Sequence, residues 1–178
     1  TVSSIIDIFN CYKPLLSIIT NSSGCLNKNW EIGNFMLAEK FLDFSFINSE
    51  KTKIYTIKKD GYYKNTLKIA NKNNIIIYEG TYTYTIGPTY ETPEEIKNII
   101  ECGGSAVGMS TFPEFLKCEK LNLNSIFISC LTNYGAGIKN EIISHDDVLK
   151  NATKSKDKFS NLIYKIIENI EIKKTQKK

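Results

Sequence analysis

Apolar positions along the chain switch repeatedly between helical and extended spacing, and the switches divide it into alternating helices and strands. In SSIIDIFNCYK the residues Ile5, Ile8, Phe9 and Tyr12 recur at helical intervals, predicting a short helix that ends before Pro14. LLSIIT from Leu15 is an isoleucine-rich run of the kind that fills a buried strand, and it leads into NSSGCL at 21–26. FMLAEKFLDF from Phe35 predicts a second strand. Residues 45–59 are polar and lysine-rich without a period, so a loop is expected there. DGYYKNTLKIANKN predicts a short helix with Tyr63, Leu67 and Ala70 on one face. In NIIIYEGTYTYTIG, tyrosine and threonine alternate, which predicts a strand.

Beyond that strand the helix starts carry their own signals. In TPEEIKNIIECGG, Thr92 suits an N-cap, Pro93 the first helical position and Glu95 the far side of a capping box, while Gly103 can close the helix in a left-handed conformation. Thr111 and Glu114 are expected to repeat the capping pattern after the strand SAVGM. SIFISCLT from Ser125 predicts a third buried strand. A last helix from about Ser144 is expected to present Val148, Ala152, Phe159, Ile163, Ile166, Ile167 and Ile170 on one stripe. The fold class is therefore α/β, a mixed β-sheet flanked by helices, with strand ends feeding helix starts. Open α/β sheets keep their ligands at such ends.

Composition bounds this picture. The 178 residues suit one domain, expected over 1–172, with a solvated lysine-rich tail at 173–178. No run approaches the roughly 20 apolar residues of a membrane span, and no signal-peptide pattern opens the chain, so a cytoplasmic protein without membrane or nucleic-acid partners is expected. The five cysteines lack a CxxC pair and are joined by a single histidine, so buried free thiols are expected rather than a metal site. All 23 basic residues are lysines. Any phosphate site within the chain must therefore rely on backbone N–H groups, hydroxyls or lysine, without a guanidinium fork.

Polar and glycine residues gather where strands are expected to end. Glu91 follows the tyrosine-threonine strand; it could cap the next helix, but Thr92 and Glu95 already fill that role. Asn133 ends the Ser125 strand before Gly135 and Gly137, where it could either shape a turn or meet a ligand. Taken together, GPTYETPEE from Gly87, AVGMST from Ala106 followed by Pro113 and Glu114, LTN from Leu131 followed by GAGI, and SHDDV from Ser144 closely resemble the trimeric purine nucleoside phosphorylases. Upstream, TNSSGCLNKNWEIGNFML from Thr20 is similar to that family's TNAAGG segment. The resemblance runs from about Val2 to the final helix and is weakest between Ser45 and Lys72.

That resemblance implies the phosphorylase/hydrolase-like fold and phosphorolysis of 6-oxopurine nucleosides, of inosine or guanosine type, to free base and ribose 1-phosphate. No cofactor or metal is implied; inorganic phosphate is the co-substrate, and a complete protein would be a homotrimer. In the residues that match, Glu91 accepts from the base edge, Tyr90 packs on the base, Val107 and Thr132 line its pocket, and Asn133 bonds N7 and O6. Met109 lies under the ribose, His145 meets the 5′-hydroxyl, and Ser22 and Ser110 contact phosphate; Glu91, Asn133 and His145 would be catalytic. Phe46 matches a region that gives an aromatic to the neighbouring subunit.

Departures from the family accompany the match. Nothing here matches the family's N-terminal glycine-rich phosphate loop or its arginine- and histidine-bearing segment, so an N-terminally truncated domain is expected. For the chain alone, base binding with negligible turnover is the expectation. The alternative reading is a non-catalytic base-binding or oligomerising remnant. A methylthioadenosine phosphorylase is a further reading, disfavoured by Asn133 and His145.

Overall fold

A computed structural model describes residues 4–46, 51–139 and 145–175, with the side chains among them except those of 145–147 and 171–175. The elements in chain order are α1 (Ser4–Cys11), β1 (Ser17–Cys25), β2 (Phe35–Asp43), β3 (Lys53–Thr56), α2 (Gly61–Lys72), β4 (Ile77–Tyr84), α3 (Pro93–Glu101), β5 (Ala106–Gly108), α4 (Phe112–Lys120), β6 (Ser125–Tyr134) and α5 (His145–Thr175). Every helix and strand expected from the sequence is present. The strand read from LLSIIT continues to Cys25, taking in the polar NSSGC.

The expectation of a wholly irregular 45–59 segment is corrected by β3. Its four residues pair antiparallel with β2, from Asp43↔Lys53 to Lys40↔Thr56. So short and largely exposed a strand has no burial pattern of its own; the neighbouring strand supplies its order.

The sheet is mixed, in the order β3-β2-β4-β5-β1-β6, and an additional β2–β6 pairing curls it back on itself. The N-terminal half of β2 pairs with β6, Phe35↔Cys130 to Leu37↔Ile128, while its C-terminal half takes β3. The sequence pattern suggests the strand ends of an open sheet; the observed sheet is closed, barrel-like, and filled from inside. Phe41 sits at the centre of that filling, stacked on Phe115 at 4.3 Å and edge-on to Phe127 at 5.2 Å and Tyr82 at 5.4 Å. A second apolar cluster on the outer side joins Phe35, Leu37, Ile126 and Ile128 to Tyr63 and Ile69 of α2 and to Leu162 and Ile166 of α5.

Local signals fared unevenly. Thr92 caps α3 with both halves of its capping box, Pro93 occupies the first turn, and Gly103 adopts φ +91° after it. Thr111 precedes α4 but makes no capping bond, because its own φ of +76° turns the hydroxyl elsewhere. In α1 the helical period is as expected, and its periodic residues Ile5, Ile8, Phe9 and Tyr12 are exposed while Ile6 enters the core. In α5 Ile167 is 45% exposed, whereas Leu162, Ile166 and Ser155 are buried. Of the cysteines, Cys25, Cys118 and Cys130 are buried, Cys102 is half-buried and Cys11 exposed. All five are free, and the expectation of burial holds for three of them. Among the described residues no helix is long and apolar enough to cross a membrane.

A small polar clamp ties the sheet to α2. Lys59 Nζ reaches Glu39 at 2.7 Å and Glu79 at 2.8 Å, and the Tyr63 hydroxyl donates to Glu79 at 2.9 Å. The Lys59 ammonium, helped by the Tyr63 hydroxyl, holds the Glu79 carboxyl below its ordinary value, while burial and Glu79 push the Tyr63 phenol upward. A lowered carboxyl stabilises the fold above its unfolded value and stops doing so as pH falls through the folded one. The raised phenol is fully stabilising below its unfolded value and loses its effect only in strong alkali. The clamp is therefore complete at neutral pH and weakens on acidification. Because Lys59 and Glu79 are partly exposed, Glu79→Gln is expected to cost under ~1 kcal/mol at pH 7 and less at pH 3. Urea melts at the two pH values read the difference.

Candidate active site

Strands β1 and β6 end side by side, β5 runs antiparallel along the end of β1, and residues from all three line one cavity. β1 and β6 run parallel in register from Ser17↔Ser125 to Ser23↔Leu131; then Gly24 pairs with Asn133, leaving Thr132 as an extra residue, a β-bulge. On the other edge of β1, Gly24 faces Val107 of β5. A Cβ on Gly24 would lie 3.3 Å from Val107 Cγ1 and 3.4 Å from Asn133 Nδ2. The side chains of Asn133 and Val107 thus converge over a residue that has none.

The Asn133 amide is oriented by its neighbours. Its nitrogen lies 3.0 Å from the Tyr134 carbonyl, which can only accept, so that atom must be Nδ2. Oδ1 then faces the Thr132 hydroxyl at 3.1 Å. Asn151 of α5 donates to the Thr132 carbonyl at 2.9 Å, fastening the bulge to the last helix. Nδ2 retains a second hydrogen.

Glu91 and Tyr90 close the cavity from the segment between β4 and α3. The Thr85 hydroxyl donates to Glu91 Oε1 at 2.7 Å, and Tyr90 is 45% exposed. Gly87, at φ +71°, lies under Met109: a Cβ there would come within 2.4 Å of Met109 Sδ. Gly87→Ala is therefore expected to cost about 1–3 kcal/mol in a urea melt, through backbone strain and displacement of Met109.

Met109 leads into Ser110, whose carbonyl accepts from the Tyr82 hydroxyl at 3.0 Å. Burial pushes that phenol up to about 12, so Tyr82 remains a neutral donor across the physiological range. Next to it, Asn21 Nδ2 donates to the Thr111 hydroxyl at 2.8 Å, the contact that replaces the expected cap.

The cavity has a volume of about 250 Å³. Its lining is Ser22, Ser23 and Gly24 from β1, Val107 to Ser110 at and after β5, Thr132, Asn133 and Gly135 at the end of β6, with Tyr90, Glu91 and Val148. Eight of the nine site residues expected from the sequence are thereby brought together: Ser22, Tyr90, Glu91, Val107, Met109, Ser110, Thr132 and Asn133. The ninth, His145, opens α5 one turn before Val148, and its side chain lies outside the described residues. Phe46 is 52% exposed, edge-on to Phe44 at 4.9 Å, and does not line this cavity.

Sequence reading missed several members. Gly24 and Gly135 are signalled only as glycines where strands end, and Val148 only as part of a core stripe; Thr85, which touches the site through Glu91, is one more position of an alternating strand. The two ends of the cavity differ in character. Val107 and Thr132 are buried, whereas Ser22 and Ser110 are exposed. The described lining includes the Glu91 carboxylate and no cationic side chain. Beside the serine end, Ser23 Oγ, Asn21 Oδ1 and Glu114 Oε2 are buried without a hydrogen-bond partner among the described residues.

Comparison with known proteins places this geometry in context. The family model described as the phosphorylase superfamily matches residues 8–168. Purine nucleoside phosphorylase 1 of Bacillus subtilis is 32% identical over 165 residues, covering 86% of this chain and 61% of its own length. The probable S-methyl-5′-thioinosine phosphorylase of Methanocaldococcus jannaschii is 33% identical over 158 residues, with 84% and 61% covered. In fold, the chain is similar to the purine nucleoside phosphorylase of Schistosoma mansoni solved with inosine, at a TM-score of 0.84 and 22% identity over 94% of this chain and 66% of that one. The chain spans about 61% of the length of these relatives.

Proposed function

The chain belongs to the phosphorylase superfamily, and on that premise we propose that its cavity is the purine- and ribose-binding part of a nucleoside phosphorylase site for 6-oxopurine nucleosides. The observation that carries this reading is the meeting of Glu91 and Asn133, one acceptor and one oriented amide, beside the apolar Val107 and Met109 in a single cavity.

Phosphorolysis passes through a ribosyl cation-like state while negative charge accumulates on the departing purine. Asn133 Nδ2 is already committed by one hydrogen to Tyr134, and its second is available to donate to O6 and N7 as that charge develops. Glu91 accepts from N1–H, which hypoxanthine and guanine carry and adenine lacks. Tyr90 and Val107 enclose the ring, Thr132 supports Asn133, and Met109 lies under the sugar. His145 is assigned to the 5′ substituent. Inosine and S-methyl-5′-thioinosine share the 6-oxopurine base, so relatives of both names agree with this base class and leave the 5′ group open.

Ser22 and Ser110 are assigned to inorganic phosphate, the co-substrate, with no further cofactor. The Ser110 hydroxyl and the Ser22 backbone N–H do not by themselves balance a phosphate dianion. The cation-free described lining favours a second element of the reading: the chain by itself binds base and turns nucleoside over slowly, and phosphorolysis requires cations from outside the described lining. A complete protein would assemble as a homotrimer, which sedimentation measures directly. Calorimetry of the purified chain is expected to detect hypoxanthine binding, with adenine weaker, and an inosine phosphorolysis assay to give little product. Equal affinity for adenine would overturn the base assignment, and rapid inosine turnover would overturn the assignment of the missing charge.

A further inference from the structure

We propose that Thr85 is a positioning residue for base selection: it anchors one oxygen of Glu91 so that only the other is offered to the purine, an inference that rests on the base-site reading above. Thr85 follows β4 directly and is 9% exposed, and its backbone N–H donates to the Gly108 carbonyl at 3.0 Å. The main chain therefore fixes the hydroxyl before the hydroxyl fixes anything else. Its donation to Glu91 Oε1 at 2.7 Å is short, as expected for a hydroxyl on a carboxylate.

Glu91 forms a wall between two cavities. On one side is the proposed base pocket; behind it lies a second cavity of about 200 Å³ lined by Phe44, Thr85, Glu95 and Ile99 among others. Thr85 lines the second cavity and not the first, so it acts on a base only through Glu91. A carboxylate standing between two spaces can turn into either, and its terminal torsion has broad preferences. Thr85 removes that freedom. With Oε1 occupied by a donor, Oε2 is left as the acceptor that an N1–H base requires.

The consequence is selective, and that separates positioning from general structural support. Thr85→Val keeps shape and loses the donor. It is expected to weaken hypoxanthine binding on the order of tenfold while leaving adenine binding within about twofold, since adenine makes no use of the acceptor. Thr85→Ser retains a hydroxyl and is expected to restore the hypoxanthine preference; Thr85→Ala, with less bulk, reports the same loss should the valine variant fold poorly. Glu91→Ala is measured alongside by competition calorimetry on the same chain. If Glu91→Ala removes the hypoxanthine preference and Thr85→Val or Thr85→Ala leaves it intact, or if these variants weaken both bases equally, the positioning role is overturned and the base site stands. If Glu91→Ala itself leaves hypoxanthine binding unchanged, or the unmodified chain shows no saturable binding, the base-site reading fails and takes this inference with it.

Discussion

Alanine at Glu91 or at Asn133 is expected to weaken hypoxanthine binding by the purified chain roughly 5- to 150-fold, the equivalent of ~1–3 kcal/mol for a buried polar partner left unmatched. The two substitutions differ in what they leave behind. Glu91→Ala removes the acceptor that requires an N1 proton, so discrimination between hypoxanthine and adenine collapses along with affinity. Asn133→Ala removes donation at O6 and N7, and in an assembly that turns over it should depress kcat as well as binding, because leaving-group charge is largest in the transition state. Asn133→Asp exchanges an amide for an acceptor and is expected to shift preference toward 6-amino purines. Titration of hypoxanthine and adenine against each variant distinguishes these outcomes. Unchanged affinities in both alanine variants would remove the base pocket from this cavity.

The largest effect on stability is expected at Phe41. Its ring is fully buried and contacts Phe112, Phe115, Phe127 and Tyr82, contributed by α4, β6 and β4 around the closed sheet. Phe41→Ala deletes the shared centre of that group and should cost about 3–5 kcal/mol, a large part of the ~5–15 kcal/mol typical of a domain. Phe46→Ala, changing an exposed ring, should cost well under ~1 kcal/mol. Urea midpoints of the two variants give the comparison. A loss at Phe41 no larger than that at Phe46 would mean that the interior of the sheet does not carry the fold.

How much of this was legible beforehand depends on whether the information is local. The capping box at Thr92, the strand from Ser125 and eight of the residues that line the cavity were readable, because capping, apolar runs and short motifs reside in contiguous sequence. The buried face of α1 was not. Its four periodic apolar residues could face either way, and only the packing of Ile6 into the core decided it. β3 was hidden because its order comes from the edge of β2. Thr111 resembles a cap in its spacing to Glu114, but its φ is positive and its hydroxyl accepts from Asn21 on a strand far away in sequence. Closure of the sheet depends on three residue pairs between β2 and β6, far apart in sequence. For the same reason Thr85 could not be distinguished from the other threonines of its strand until Glu91 was found against it.

The bulge at Thr132 has a further implication for how such a site can change. Successive residues of a strand face opposite ways, so the single extra residue determines that Asn133 rather than its neighbour stands over Gly24. Were the bulge flattened with the sequence unchanged, Thr132 would pair with Gly24 and Asn133 would turn to the other side of the sheet. What stands over Gly24 is thus decided partly by strand register, a property that no single lining side chain carries.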